Sequence, residues 1–142
     1  MTIIKSAQKV KAKHKSHPVE KLLTEVELEL MSIIWKRGEA AVNDVLESLP
    51  SGRHLAYTSV STILRILEQK EVLKSRKEGR GHVYVPLLRK EDYEAKTVRH
   101  VVDKVFDGTP VSLVRQLLSM VALSESELSE LRKLLEKKES ES

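Results

Sequence analysis

The chain has 142 residues, of which 32% are charged and 4% aromatic, and none is cysteine. That length holds one ordinary domain or two small ones, the composition fits a helical protein better than a β-sandwich, and disulfides and thiolate metal sites are excluded. The net charge of +4 is unevenly spread: +5 in residues 1–17, −4 in 18–52, +6 in 53–90 and −3 in 91–142. Two basic blocks around an acidic helical pair suit a polyanion such as DNA, bound through phosphate contacts and counterion release; solvated surface is the plainer alternative.

The N-terminal segment MTIIKSAQKVKAKHKSH has no apolar core, so it is not a signal peptide, and its lysines replace the arginines of a transit peptide. With no apolar run near the roughly 18–20 residues of a membrane span, a cytoplasmic protein without membrane contact is expected. Residues 1–18 are too polar to offset chain entropy and are expected to form a disordered basic tail. His14 and His17 make an HxxH there, but a tail seldom supplies a full metal-ligand set. His54, His82 and His100 are scattered, so no metal site is expected.

A helix is predicted over about residues 24–36. Thr24 and Glu27 have capping-box spacing and Leu23 and Leu28 have staple spacing; Val26, Leu30, Ile33 and Ile34 oppose a polar stripe, and Gly38 ends the helix. A second helix, about residues 42–49, repeats Val42, Val45, Leu46 and Leu49 before Pro50-Ser51-Gly52 breaks the chain. A third, about residues 58–70, has Val60, Ile63, Leu64 and Leu67 on one face. Two short β-prone runs, residues 72–75 and 82–85, flank a basic turn at 78–81 and read as a hairpin. Three small helices and a basic hairpin are the order of a winged helix-turn-helix, spanning residues 19–90.

With the apolar residues of the third helix inward, Thr58, Ser59, Ser61, Thr62 and Arg65 face outward. Small hydroxyls allow close approach to a major groove and can pair with base edges, a threonine methyl can meet a thymine methyl, and Arg65 can reach guanine or phosphate. The helix N-terminus also favours a phosphate. Arg76, Lys77, Arg80 and His82 would decorate the wing, where charge also protects an edge strand. An amphipathic surface helix is the bland alternative for the hydroxyl cluster.

Residues 91–142 are expected to form a three-helix dimerisation domain. One helix, about 91–107, carries Val98, Val101, Val102, Val105 and Phe106 and closes at Gly108. Thr109-Pro110 opens the next as N-cap and N1, with Val114, Leu117, Leu118 and Val121 in a stripe. The last begins at a capping box of Ser124 and Glu127, followed by Leu128, Leu131, Leu134 and Leu135. Helices this short with apolar faces this wide bury them poorly alone. The expected seam with a second copy comprises Val102, Val105, Phe106, Val114, Leu117, Leu118, Leu128, Leu131 and Leu135; packing against the first domain is the alternative.

The run LTEVELELMSIIWKRGEAAVNDVLESL, with its Glu-X-X-apolar-Met-X-X-apolar-Trp pattern from Glu27 to Trp35, resembles the BlaI/MecI/CopY family of penicillinase-repressor regulators. So do the AYTSV helix start, the RKEGRGHVY wing, DGTPVSLVRQLL and LSESELSELRKLLEKK. The resemblance covers about residues 20–138 and implies a homodimeric repressor on an inverted-repeat operator, with helix contacts at Tyr57, Thr58, Ser59, Ser61, Thr62 and Arg65 and wing contacts around Arg76 to His82. Two features depart from family members. Where some are inactivated by cleavage of an Asn-Phe bond, this chain has Gln116 and Leu117. The cysteine pairs of the copper-responsive members are missing. The other function classes are a largely non-specific chromosome-organising protein driven by the lysine tail, and a winged-helix protein-interaction module. No enzyme is expected: there is no cysteine nucleophile, phosphate-cradling loop or HExxH pair, and no cofactor or small-molecule pocket is evident.

Overall fold

The computed structural model describes residues 22–141; the expected tail and the His14–His17 pair lie outside the described residues. The fold is mainly α, with a winged helix-turn-helix preceding a C-terminal helical unit. Contacts divide the chain into two compact units, one ending at Ala95 and the other beginning at Lys96.

The first unit opens with α1 (Glu25–Arg37). Its capping box forms as the spacing predicts: Glu27 N donates to Thr24 Oγ1 at 3.1 Å, and Thr24 N donates to Glu27 Oε1 at 2.9 Å. Gly38 ends the helix at φ +92°. In α2 (Val42–Ser48), the side chain of Asp44 accepts from Ala41 N at 2.9 Å, a cap the sequence reading missed. The third helix, α3 (Tyr57–Gln69), starts one residue earlier than its apolar spacing indicated, with Ala56 as N-cap.

The hairpin is longer and tighter than expected. β1 (Leu73–Glu78) and β2 (Gly81–Pro86) pair antiparallel, from Leu73 opposite Pro86 to Glu78 opposite Gly81, so only Gly79 and Arg80 form the turn. Polar strand residues obscured this in the sequence; backbone pairing, indifferent to side-chain polarity, extends the ladder through Arg76 and Lys77. Ala40 forms an additional bridge to Tyr84, with backbone hydrogen bonds of 2.8 and 3.0 Å.

Leu30, Met31, Ile34, Val45, Val60, Leu64 and Leu67 are fully buried, with Val72, Leu73 and Tyr84 beside them. This core joins the three helices to the sheet. Trp35 bridges outward from it: its indole N–H donates to Leu88 O at 2.9 Å, and its ring lies 5.9 Å from that of Tyr93. Tyr93 sits in the first turn of α4 (Lys90–Lys104), and its hydroxyl accepts from Leu23 N at 3.1 Å.

In the second unit, α4 ends earlier than predicted. Gly108 N reaches back to Val102 O at 2.8 Å, and Asp107 and Gly108 take positive φ angles of 54° and 78°, a left-handed exit in which glycine is comfortable. α5 (Pro110–Met120) has proline in its first turn, and α6 (Glu125–Glu141) follows the capping box formed by Ser124 and Glu127. Neither α5 nor α6 contains a buried residue.

Candidate nucleic-acid interface

The 100° advance per helical residue sorts the side chains of α3. Val60, Leu64 and Leu67 are buried, and Ile63 is half-buried at the edge of the core. The opposite face presents Thr58, Thr62 and Arg65 to solvent, with Ser59 exposed and Ser61 half-buried at its margins. Tyr57 stands at the helix start, 53% exposed. Ala56 provides no side-chain cap, which leaves the first N–H groups of α3 open to an external acceptor. On α1 and α6 the hydroxyls of Thr24 and Ser124 accept from the first-turn N–H groups of Glu27 and Glu127.

Two residues on this face were missed. Ile66 and Gln69 lie four and seven positions beyond Thr62 and continue its stripe, Ile66 at 39% exposure and Gln69 also exposed. The signal was legible: Ile66 is out of phase with the apolar spacing of Val60, Leu64 and Leu67, so an outward isoleucine was implied.

The predicted wing residues are divided by the pleat. Alternation in the observed register puts Lys77 and His82, a cross-strand pair, on the same face as the pair Ser75 and Tyr84. That face meets α3, where Ser75 Oγ donates to Glu68 Oε2 at 2.8 Å. The Tyr84 hydroxyl is pushed above its ordinary pKa by burial and by the charge of Glu68, against the opposing pull of Arg65. Arg80 is exposed in the turn. Arg76 lies on the other face, opposite Val83, and donates to both carboxylate oxygens of Glu39 at 2.9 Å and to Glu78 Oε2 at 3.1 Å. These bonds hold Glu39 below the usual carboxylate range and raise the guanidinium further.

Other cations of the basic segment are also engaged. Arg53 donates to both oxygens of Glu29, 2.9 Å from each, and that hydrogen-bonded pairing depresses the Glu29 pKa. Lys70 Nζ donates to Glu27 Oε2 at 2.7 Å. Burial alone would raise the Glu27 pKa, but the Lys70 hydrogen bond, the Thr24 N–H and the Lys70 charge outweigh it and leave the carboxyl below its ordinary value. Arg89 approaches Glu91 at 3.6 Å. Arg65, Lys74, Lys77, Arg80 and Lys90 make no ion pair among the described residues.

Within the second unit, Val114, Leu117 and Leu118 of α5 and Val121 just past its end face Leu131 and Leu134 of α6 across a groove of about 320 Å³. Most of the predicted seam is exposed: Val105 and Leu135 at 65%, Leu118 at 50%, Val114 and Leu117 at 48%, and Leu128 at 36%. Val102, Phe106 and Leu131 are half-buried. No group of metal-ligating side chains occurs among the described residues, and no helix among them is long and apolar enough to cross a membrane.

A short helix-turn-helix with a solvent-facing second helix, flanked by a charged two-stranded wing, defines a winged-helix protein. The chain belongs to the penicillinase repressor family, whose profile matches residues 23–137. The penicillinase repressor of Bacillus licheniformis is 32% identical over 114 residues, covering 80% of this chain and 89% of that protein. The methicillin resistance regulatory protein MecI of Mammaliicoccus sciuri is 29% identical over 116 residues, 82% of this chain and 94% of that one. Among solved structures, the monomeric form of Bacillus licheniformis BlaI in complex with the blaP half-operator shares 33% identity over 51% of this chain and 89% of its own, with a TM-score of 0.44.

Proposed function

We propose that this protein is a sequence-specific transcriptional repressor that binds an inverted-repeat operator as a homodimer. The observation that carries this reading is the exposed face of α3, where Thr58, Thr62 and Arg65 stand free of the core beside the unpaired wing cations Lys77 and Arg80. Membership of a repressor family supports it. In the major groove, Thr62 and Arg65 contact base edges, while Thr58, Ser59 and the uncapped N–H groups at the start of α3 hold a phosphate. Tyr57 and Ser61, four positions apart, border the groove from one side of the helix. Lys77, Arg80 and His82 follow the adjacent backbone.

A twofold assembly through α4, α5 and α6 would set two reading helices one helical turn of DNA apart or a multiple of it, the spacing of a palindrome. Exposed Val105, Leu118 and Leu135 supply the apolar surface such a seam needs.

The test is competition between a palindromic duplex, selected from a random library, and an unrelated duplex at physiological salt. Preference for the palindrome by about a thousandfold or more is expected, and Thr62→Ala and Arg65→Ala should each lose about 1–3 kcal/mol of that discrimination with thermal stability nearly unchanged. Equal binding of both duplexes would instead mean a chromosome-organising protein.

A further inference from the structure

Charge alone would assign every cation of residues 53–90 to DNA phosphates. The side-chain geometry divides them. Arg53 precedes α3 by four residues and grips Glu29 with two hydrogen bonds of 2.9 Å. Lys70 is the C-cap of α3 and holds Glu27 at 2.7 Å. Arg76, in the wing, grips Glu39 through two bonds of 2.9 Å. Glu27 and Glu29 belong to α1, and Glu39 lies just past its end. α1 and the residue just past its cap therefore hold the lead-in to α3, the C-terminal end of α3 and the back face of the wing.

Resting on the DNA-binding reading above, we infer that Arg53, Lys70 and Arg76 are positioning residues. They fix α3 and the wing on α1 in the relative setting that fits a groove, and they do not contact phosphate. Lys77 and Arg80 supply the phosphate-facing charge, while Arg65 reads base edges. A single exposed ion pair contributes little, but bidentate arginine–carboxylate geometry and networks are the exceptions. Arg53 and Arg76 are bidentate, Arg76 also binds Glu78, and Glu27 is only 6% exposed. Transfer of Arg53 or Arg76 to a phosphate would break two charge-assisted bonds. It would also leave Glu29 or Glu39 unneutralised near a polyanion, where like charges repel. Base readout tolerates displacements of only about half an ångström, so a fixed mount has a direct effect on specificity.

Salt titrations on the selected palindrome and on random duplex test the assignment. Lys77→Gln and Arg80→Gln should each flatten the plot of log affinity against log salt by about 1.8, one phosphate contact per protomer at about 0.9 each in the dimer. Arg53→Gln and Arg76→Gln should leave the slope unchanged yet lower the palindrome-to-random ratio by about threefold, the scale of an exposed ion pair. Arg53→Glu should weaken palindrome binding, and adding Glu29→Arg should restore it to within about twofold, because a swapped pair rebuilds a mount but not a phosphate contact. A slope loss of about 1.8 in Arg53→Gln or Arg76→Gln, the same two contacts per dimer, with both duplexes weakened alike, would overturn the inference. So would a folded double variant that stays as weak as Arg53→Glu. Failure of the DNA-binding reading itself would show in the unaltered protein, which would bind neither duplex.

Discussion

Lys70→Met is expected to cost more stability than Glu27→Gln, although both remove the same ion pair. Glu27 is 6% exposed and uses one carboxylate oxygen on Thr24 N and the other on Lys70. Its glutamine variant keeps an amide oxygen for the Thr24 N–H, so the loss should be about 0.5–1 kcal/mol, that of one net hydrogen bond. Lys70→Met leaves a nearly buried carboxylate without its cation. Breaking a fully buried pair costs about 3–5 kcal/mol; the Lys70 side chain is 47% exposed, and solvent screening reduces the expected loss to about 2 kcal/mol. The two variants should also differ in pH dependence. In the unaltered protein the folded Glu27 pKa lies below its ordinary 4.5. The stabilisation is then complete above that value and disappears as pH falls through the folded pKa. Without the Lys70 hydrogen bond and charge, the folded pKa rises above that of the unaltered protein, so acidification relieves the penalty. The deficit of Lys70→Met should shrink from about 2 kcal/mol at pH 7 as the pH falls to about 3. Urea unfolding followed by fluorescence of Trp35, the one tryptophan, measures it in the unit that contains the pair. A deficit equal at both pH values, or a larger loss in Glu27→Gln, would refute the reasoning.

Three further outcomes follow from the structure. Ile66→Ala should weaken operator binding, and replacing one thymine of each half-site by uracil, which removes only the methyl group, should produce the same loss without adding to it; independent effects at every thymine would remove Ile66 from the reading face. Leu131→Asp with Leu135→Asp should give a monomer in sedimentation that binds a palindrome no better than a half-site, since the charges would enter the proposed seam; a persistent dimer would place the seam elsewhere. Gly38→Ala should lower stability by about 1–3 kcal/mol through its backbone conformation alone, φ +92° and ψ −39°, a region L-residues rarely adopt, because a Cβ there meets nothing within 4 Å; circular dichroism melting would show an unchanged midpoint if the strain is absent.

The sequence by itself determined the elements and the outward face of α3. Periods of 3.6 and 2 depend only on which residues are apolar, and capping at Thr24 and Ser124 is local chemistry acting across three positions. The position of Arg65 opposite Leu64 and Leu67 follows from that period alone. Tertiary structure decided the fate of the charges. Glu29 and Arg53 are 24 residues apart, Glu39 and Arg76 are 37, and Glu27 and Lys70 are 43, so no local pattern signals that they meet. The face of the wing occupied by Arg76 likewise depends on strand register, because shifting the pairing by one residue exchanges the two faces. In the sequence, Arg76 and Lys77 are neighbouring cations of one basic run. The pleat turns one back to Glu39 and leaves the other without an ion pair among the described residues.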